Sequence, residues 1–215
     1  MNPPFTLIFF LIIYNSCISD KTNSNDLIFP KDSTENYFNF RESPSLETNE
    51  NEISKFENKW YSKMLYALEE PILKNYRGEK EIYRFTWLRT FHHPVSIIII
   101  KENEKIAITT KVSDGKGGYE PGNIIYNKTV ELSDNDYKIL LRKINISDFW
   151  KMKTESKIMG NDGSQWIIEG VKNNQYKLVI RWTPIVSEEL RNFREIGEFL
   201  ISKSNLQKEE LNDLY

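Results

Sequence analysis

One cysteine and two histidines are all that 215 residues offer in metal-binding and thiol chemistry. A lone cysteine cannot close an intramolecular disulfide, so the fold must stand on its own core. The histidines are adjacent, His92 and His93, with no second cysteine to complete a zinc-type spacing. Neighbouring residues of an extended strand point to opposite faces, so the two rings do not converge on one ion. The plainer role for either ring, at a strand end beside Pro94, is a hydrogen bond to backbone. An excess of positive charge is missing as well. Twenty-nine Lys and Arg stand against 31 Asp and Glu, a formal net charge of -2. No basic stripe interleaved with aromatics occurs, which excludes a nucleic-acid partner. The nine glycines form neither a Gly-x-x-x-x-Gly-Lys-Ser/Thr phosphate loop nor a Gly-x-Ser-x-Gly nucleophile elbow. No cofactor, no metal and no catalytic residue is assigned from the sequence.

The amino terminus has no charged side chain before Asp20. Pro3 to Tyr14 is an apolar run too short to cross a bilayer as a permanent helix, the layout of a secretory signal over residues 1–16. Ser16 directly before Cys17 resembles the lipobox of bacterial lipoproteins, although Tyr14 stands where that class usually carries leucine. The resemblance implies cleavage before Cys17 and a lipid on its sulfur. Ile18 is not the aspartate of the inner-membrane retention signal, which points to the outer membrane or cell surface. An ordinary secreted protein and a short uncleaved anchor are the other layouts compatible with the run.

Residues 17–51 read as the lipidated cysteine followed by a flexible acidic linker. From Ile18 to Glu57 nine acidic residues face four basic ones, and Asn, Ser and Thr fill much of the remainder. Such a stretch buries too little apolar surface to offset the entropy of ordering it. Tyr37, Phe38 and Phe40 break the pattern, either as a docking point or as a sticky spot in the tether.

A single α+β domain is expected over 52–206, with a frayed tail over 207–215. Ile53, Phe56, Trp60, Met64, Ala67 and Leu68 recur at helical spacing and stop before Pro71. The period then becomes two: Tyr83, Phe85 and Trp87 alternate with Arg84, Thr86 and Leu88 as in a half-buried strand. Val95–Ile100 suits a central strand, Ile106–Val112 its hairpin partner, and Asn123–Leu132 another strand after the glycine loop of residues 113–118. Ser133 caps a helix whose apolar face is Tyr137, Leu140, Leu141 and Ile144. Asn173-Asn174 joins strands Gln165–Val171 and Tyr176–Trp182. Ser187 caps the last helix, with Leu190, Phe193, Ile196, Gly197, Leu200 and Ile201 facing the core. The sum is an antiparallel sheet of five to six strands with helices packed on one face.

For chemistry, Trp87, Trp150, Trp166 and Trp182 with Arg84, Arg89 and Arg181 make the best case for a binding surface. Aromatic and guanidinium groups on adjacent strands stack on a sugar or hold an anion; the alternative is core tryptophans with arginines at the edge. His92 or His93 could serve in acid–base catalysis if paired with Glu120, Asp162 or Glu169. Asn161-Asp162-Gly163 is a turn rather than a calcium loop, which needs more ligands at regular offsets. Asn127-Lys128-Thr129 and Asn145-Ile146-Ser147 match the N-glycosylation pattern, relevant only to a eukaryotic source.

Four blocks are distinctive together: Tyr83-Arg84-Phe85-x-Trp87-Leu88-Arg89-Thr90-Phe91-His92-His93-Pro94, Gly117-Gly118-Tyr119-x-Pro121-Gly122, Asp162-Gly163-x-x-Trp166-Ile167-x-Glu169-Gly170-Val171 and Arg181-Trp182-x-Pro184. Over about Trp60 to Leu206 the chain resembles an uncharacterised family of bacterial exported proteins and lipoproteins. That resemblance implies export and one compact domain, and carries no activity. The expectation is a lipid-anchored envelope protein acting as a binding or interaction module. The ligand-contacting candidates are Arg84, Trp87, Arg89, His92, His93, Arg181 and Trp182. Its partners are a membrane, through the lipid, and an envelope protein or small ligand. Two rivals stand beside it: an envelope enzyme using His92 or His93 with Arg89 and a carboxylate, and a structural component of an envelope assembly.

Overall fold

A serine before an amphipathic stretch starts the first helix. Ser54 and Glu57 form a reciprocal capping box: the Glu57 amide donates to the Ser54 hydroxyl and the Ser54 amide to the Glu57 carboxylate. Helix α1 follows over Lys55–Ala67. The computed structural model describes residues 26–41, 51–156, 160, 162–184 and 188–211. The signal, Cys17, Asn161 and Ser187 therefore lie outside the described residues.

Six strands form one antiparallel sheet: β3 (Glu81–Arg89), β4 (Val95–Glu102), β5 (Lys105–Ser113), β6 (Ile124–Glu131), β7 (Ser164–Lys172) and β8 (Gln175–Trp182), in the order β6-β5-β4-β3-β7-β8. Two further strands, β1 (Asn39–Phe40) and β2 (Glu52–Ile53), pair in parallel apart from it. Helix α2 (Asp134–Ile146) begins at its Ser133 cap, and α3 spans Glu188–Lys203. The protein is thus of the α+β class. The β7–β8 turn is built on Asn173 and Asn174, both at positive φ (51° and 60°), which a tight hairpin requires and asparagine tolerates.

Alternation along the strands sorts the two faces. Tyr83, Phe85, Trp87, Trp166, Ile168 and Val179 pack with Tyr137, Leu140 and Ile144 of α2 and Phe193 and Ile196 of α3. The intervening Leu88, Ile167, Leu178 and Ile180 pack instead with Tyr61, Met64 and Leu65 of α1. So α2 and α3 share one face, while α1 covers the other, outside the one-face arrangement expected. This second layer also explains why β3 is buried on both sides, Arg84 and Thr86 included, rather than half-buried.

The buried stripe of α1 is rotated from the expected one. Phe56 is 75% exposed, whereas Asn58, Tyr61 and Ser62 face inward. The reason is a segment the helix period could not reveal. Residues 26–41, within the stretch read as linker, lie against α1 and bury Tyr37 and Phe38 completely. Asn58 donates to the Phe38 carbonyl (2.8 Å) and Ser62 accepts from the Tyr37 amide (3.0 Å), so polar residues suit the helix there. The Ile72 amide bonds the Ile28 carbonyl at 2.7 Å, fixing the other end of this strap. Likewise, residues read as a frayed tail include α4 (Lys208–Leu211), which docks through Glu210.

Candidate functional site

The seven ligand-contacting candidates do not share one surface. Arg84 lies on the α1 face with no exposed area. Its Nε donates to Glu169 Oε2 at 2.7 Å and its Nη1 to the Pro71 carbonyl at 2.6 Å, while Glu70 sits 3.6 Å away. Burial works against the guanidinium charge, but the Glu169 and Glu70 carboxylates outweigh it and hold the pKa above its ordinary value. Burial likewise raises the Glu169 pKa, against the pull of Arg84 and a hydrogen bond from Tyr176. Lys111 lies 3.3 Å from Glu70, so two cations face two carboxylates in the interior. This arrangement staples three strands beneath the strap.

Trp87 is fully buried, edge-on to Trp166 at 6.0 Å. Arg181 is buried too, donating to the carbonyls of Lys153, Thr154 and Ile180 with its guanidinium over Phe193. Trp182 is partly exposed and packs over Gly160 and Gly163. These residues belong to the core and its edges.

What converges is a corner at the end of β3. The Arg89 guanidinium stacks 3.9 Å from the Trp87 ring. Its Nη1 donates to the Glu210 carbonyl (2.9 Å) and its Nη2 to the Glu210 carboxylate (3.0 Å). The other oxygen of that carboxylate meets His93 Nδ1 at 2.6 Å. One carboxylate thus links Arg89 to His93, whose side chain is 39% exposed. The carboxylates expected beside a histidine are Glu120, Asp162 and Glu169. The structure places Glu120 against Lys63 and Glu169 against Arg84, and supplies Glu210 instead. Glu210 lies 117 residues from His93, and no local pattern announces the pairing.

The glycine loop completes the corner. Gly117 donates to the His92 carbonyl (2.9 Å) and Gly118 to the Thr90 carbonyl (3.2 Å). A Cβ on Gly117 would sit 2.6 Å from the Arg89 carbonyl oxygen, so only glycine lets the loop lie on β3. From the other side the Trp60 indole donates to the Gly117 carbonyl at 3.1 Å. Held this way, the loops present Phe91 (50% exposed) and Tyr119 (58% exposed) as a ring pair 6.2 Å apart. Phe56 extends the exposed aromatics through its contact with Trp60. The corner can therefore offer aromatic faces beside an imidazole oriented by a carboxylate.

The Asp162–Gly163 turn is occupied structurally, with the Gly163 carbonyl accepting from the Thr90 amide and hydroxyl. Among the described residues no group of three or more His, Cys, Asp or Glu could hold a metal ion, and no helix is long and apolar enough to cross a membrane. No protein-family model matches this chain, and no curated protein matches it in sequence.

Proposed function

We propose that this chain is an exported envelope protein, tethered by a lipid on Cys17, whose domain is a binding or interaction module working through the Phe91–Tyr119 corner. The exposed ring pair carries the reading. Two large aromatics lie in the open on loops clamped by backbone hydrogen bonds, in a domain that buries aromatics as large as Trp87 and Trp166. Such rigid amphipathic surface suits recognition, because little side-chain entropy is lost on contact. The tether adds geometry. Eight residues separate Cys17 from Asp26, nine steps with a reach of about 30 Å when fully extended, so a lipid on Cys17 holds the domain close to its membrane. The partners are that membrane and an envelope protein or small ligand, with no role for nucleic acid. The outer membrane or cell surface is the proposed location.

Labelling with a clickable palmitate in fractionated cells tests the anchor. Cys17→Ala is expected to lose label and membrane retention together; retention without label would overturn the lipid. For the contact surface, Phe91→Ser combined with Tyr119→Ser is expected to lose cross-links to envelope components while the melting temperature stays within about 2 °C. Unchanged cross-links would refute the corner as the docking face.

A second reading, an envelope enzyme, is favoured by the 2.6 Å contact between His93 Nδ1 and Glu210. A carboxylate on one ring nitrogen orients the other as a general base is oriented. On this reading His93→Ala abolishes turnover and leaves thermal stability intact. A parallel loss of stability would assign the ring to holding α4 instead.

A further inference from the structure

The end of the sheet away from His93 carries a cavity of about 300 Å³ between the last turn of α2, the Phe149–Lys151 turn and the β7–β8 hairpin. Tyr83 and Trp150 form its aromatic wall, and Asn145, Asn173 and Gln175 its polar rim. The geometry points to a site for one neutral sugar ring, the exposed terminus or a branch of a glycan. This goes beyond the reading above: it uses a different site and does not depend on the lipid.

Four observations select that chemistry. First, Trp150 is held in one orientation by edge contacts to Tyr83 (6.4 Å, 68°) and Phe149 (5.5 Å, 80°), and it is only partly buried. Fixed aromatic surface of this kind meets the C–H face of a pyranose. Second, Tyr83 is fully buried, yet among the described residues no acceptor lies within hydrogen-bond distance of its O–H. The indole N–H of Trp150, a donor only, is the polar group that faces it. Burial raises the Tyr83 pKa, so the phenol stays protonated and able to donate. Third, the three amides are solvent-facing, and each carries donors and an acceptor, matching hydroxyls that both give and take. The positive φ of Asn173 fixes its place on the rim.

Fourth, the local charge is already neutralised. Lys172 at the rim pairs with Glu81 at 3.0 Å, and Glu81 also accepts from Tyr137 at 2.7 Å. Burial opposes the Glu81 charge, but hydrogen bonds from Tyr137 and Lys172 prevail and hold its carboxyl below the ordinary range. An anion would meet a Lys172 whose charge Glu81 already balances, and would lie close to that carboxylate. A wholly apolar ligand would leave the rim amides desolvated without partners. The cavity volume sits at the small end of ligand sites, which limits the occupant to about one ring.

The test uses the purified full chain, in a detergent without a sugar headgroup. Saturation-transfer NMR and tryptophan fluorescence are followed against glucose, N-acetylglucosamine, glucuronate and glucose 6-phosphate. Saturable binding of the two neutral sugars is expected. Asn145→Ala and Gln175→Ala, both at exposed positions, should each weaken it about tenfold with the melting temperature unchanged. Trp150→Ala should abolish it, and Trp150→Phe should restore part of it. Absence of saturation by either neutral sugar overturns the site. Equal affinity in the rim variants places binding elsewhere, and tighter binding of glucose 6-phosphate than of glucose overturns the neutral assignment. None of these results alters the outcome of the palmitate or cross-linking experiments.

Discussion

Glu169→Ala is expected to destabilise the protein by about 3–5 kcal/mol, because it strands a fully buried Arg84. The guanidinium would keep the Pro71 carbonyl, a 3.6 Å approach to Glu70 and the Tyr37 ring at 5.8 Å. Glu70 faces Arg84 with one oxygen and Lys111 with the other, so its single charge is already shared between two cations and offsets only part of the loss. Tyr176 would lose its acceptor in the same step. Removing both charges is a different perturbation. Arg84→Met with Glu169→Leu replaces a desolvated pair by apolar volume and should recover most of the loss. Urea midpoints followed by circular dichroism decide the matter. A cost below about 1 kcal/mol for Glu169→Ala would show that solvent or a repacked neighbour reaches Arg84.

Trp166→Ala should cost a similar amount, about 3–5 kcal/mol, for an unrelated reason. The indole is fully buried, donates to the Ser164 hydroxyl at 2.9 Å, and lies 5.0 Å from the Phe85 ring and 6.0 Å from Trp87. Above it runs α3, whose Gly197 comes so close that a Cβ there would meet the ring at 2.4 Å. Gly197→Ala alone should therefore cost roughly 1–3 kcal/mol through overpacking. In the Trp166→Ala background the same change should cost much less, since the methyl enters space the indole has left. A double-mutant cycle reads this as coupling of about 0.5–3 kcal/mol. Additive costs would mean that α3 does not rest on Trp166 as described.

Local chemistry was legible in the sequence. The period-two runs, the Ser133 cap and the Asn173-Asn174 hairpin each depend on a few consecutive residues, and the elements sit where those patterns put them. What depends on a second layer was not. The phase of α1 was misplaced because Asn58 and Ser62 are buried only in the company of Tyr37 and Phe38. Arg84 read as a surface candidate for the same reason: a charge on an alternating strand signals solvent unless its partners, Glu169 and Glu70, are known to share its face. In the corner, Arg89 and His93 were visible as candidates, but the carboxylate joining them arrives from α4, in a segment whose composition reads as a tail. Trp150 shares no pocket with Trp87, Trp166 or Trp182, the tryptophans that its sequence pattern groups it with. Its actual neighbours are amides at a helix end and a hairpin, which carry no motif.

The two edges of the sheet are unequal. Along β8, Asn51 takes the Leu178 amide and gives to the Tyr176 carbonyl, and the Thr154 carbonyl takes the Ile180 amide. That side has no backbone ladder left to offer at these positions. Along β6 no strand lies beyond among the described residues, and most of its side chains face water. Among the described residues this is the edge of the six-stranded sheet that a strand added from outside can join along its length. Two copies joined β6 to β6 would cover that edge on each other, a pairing that closes by two-fold symmetry instead of running on.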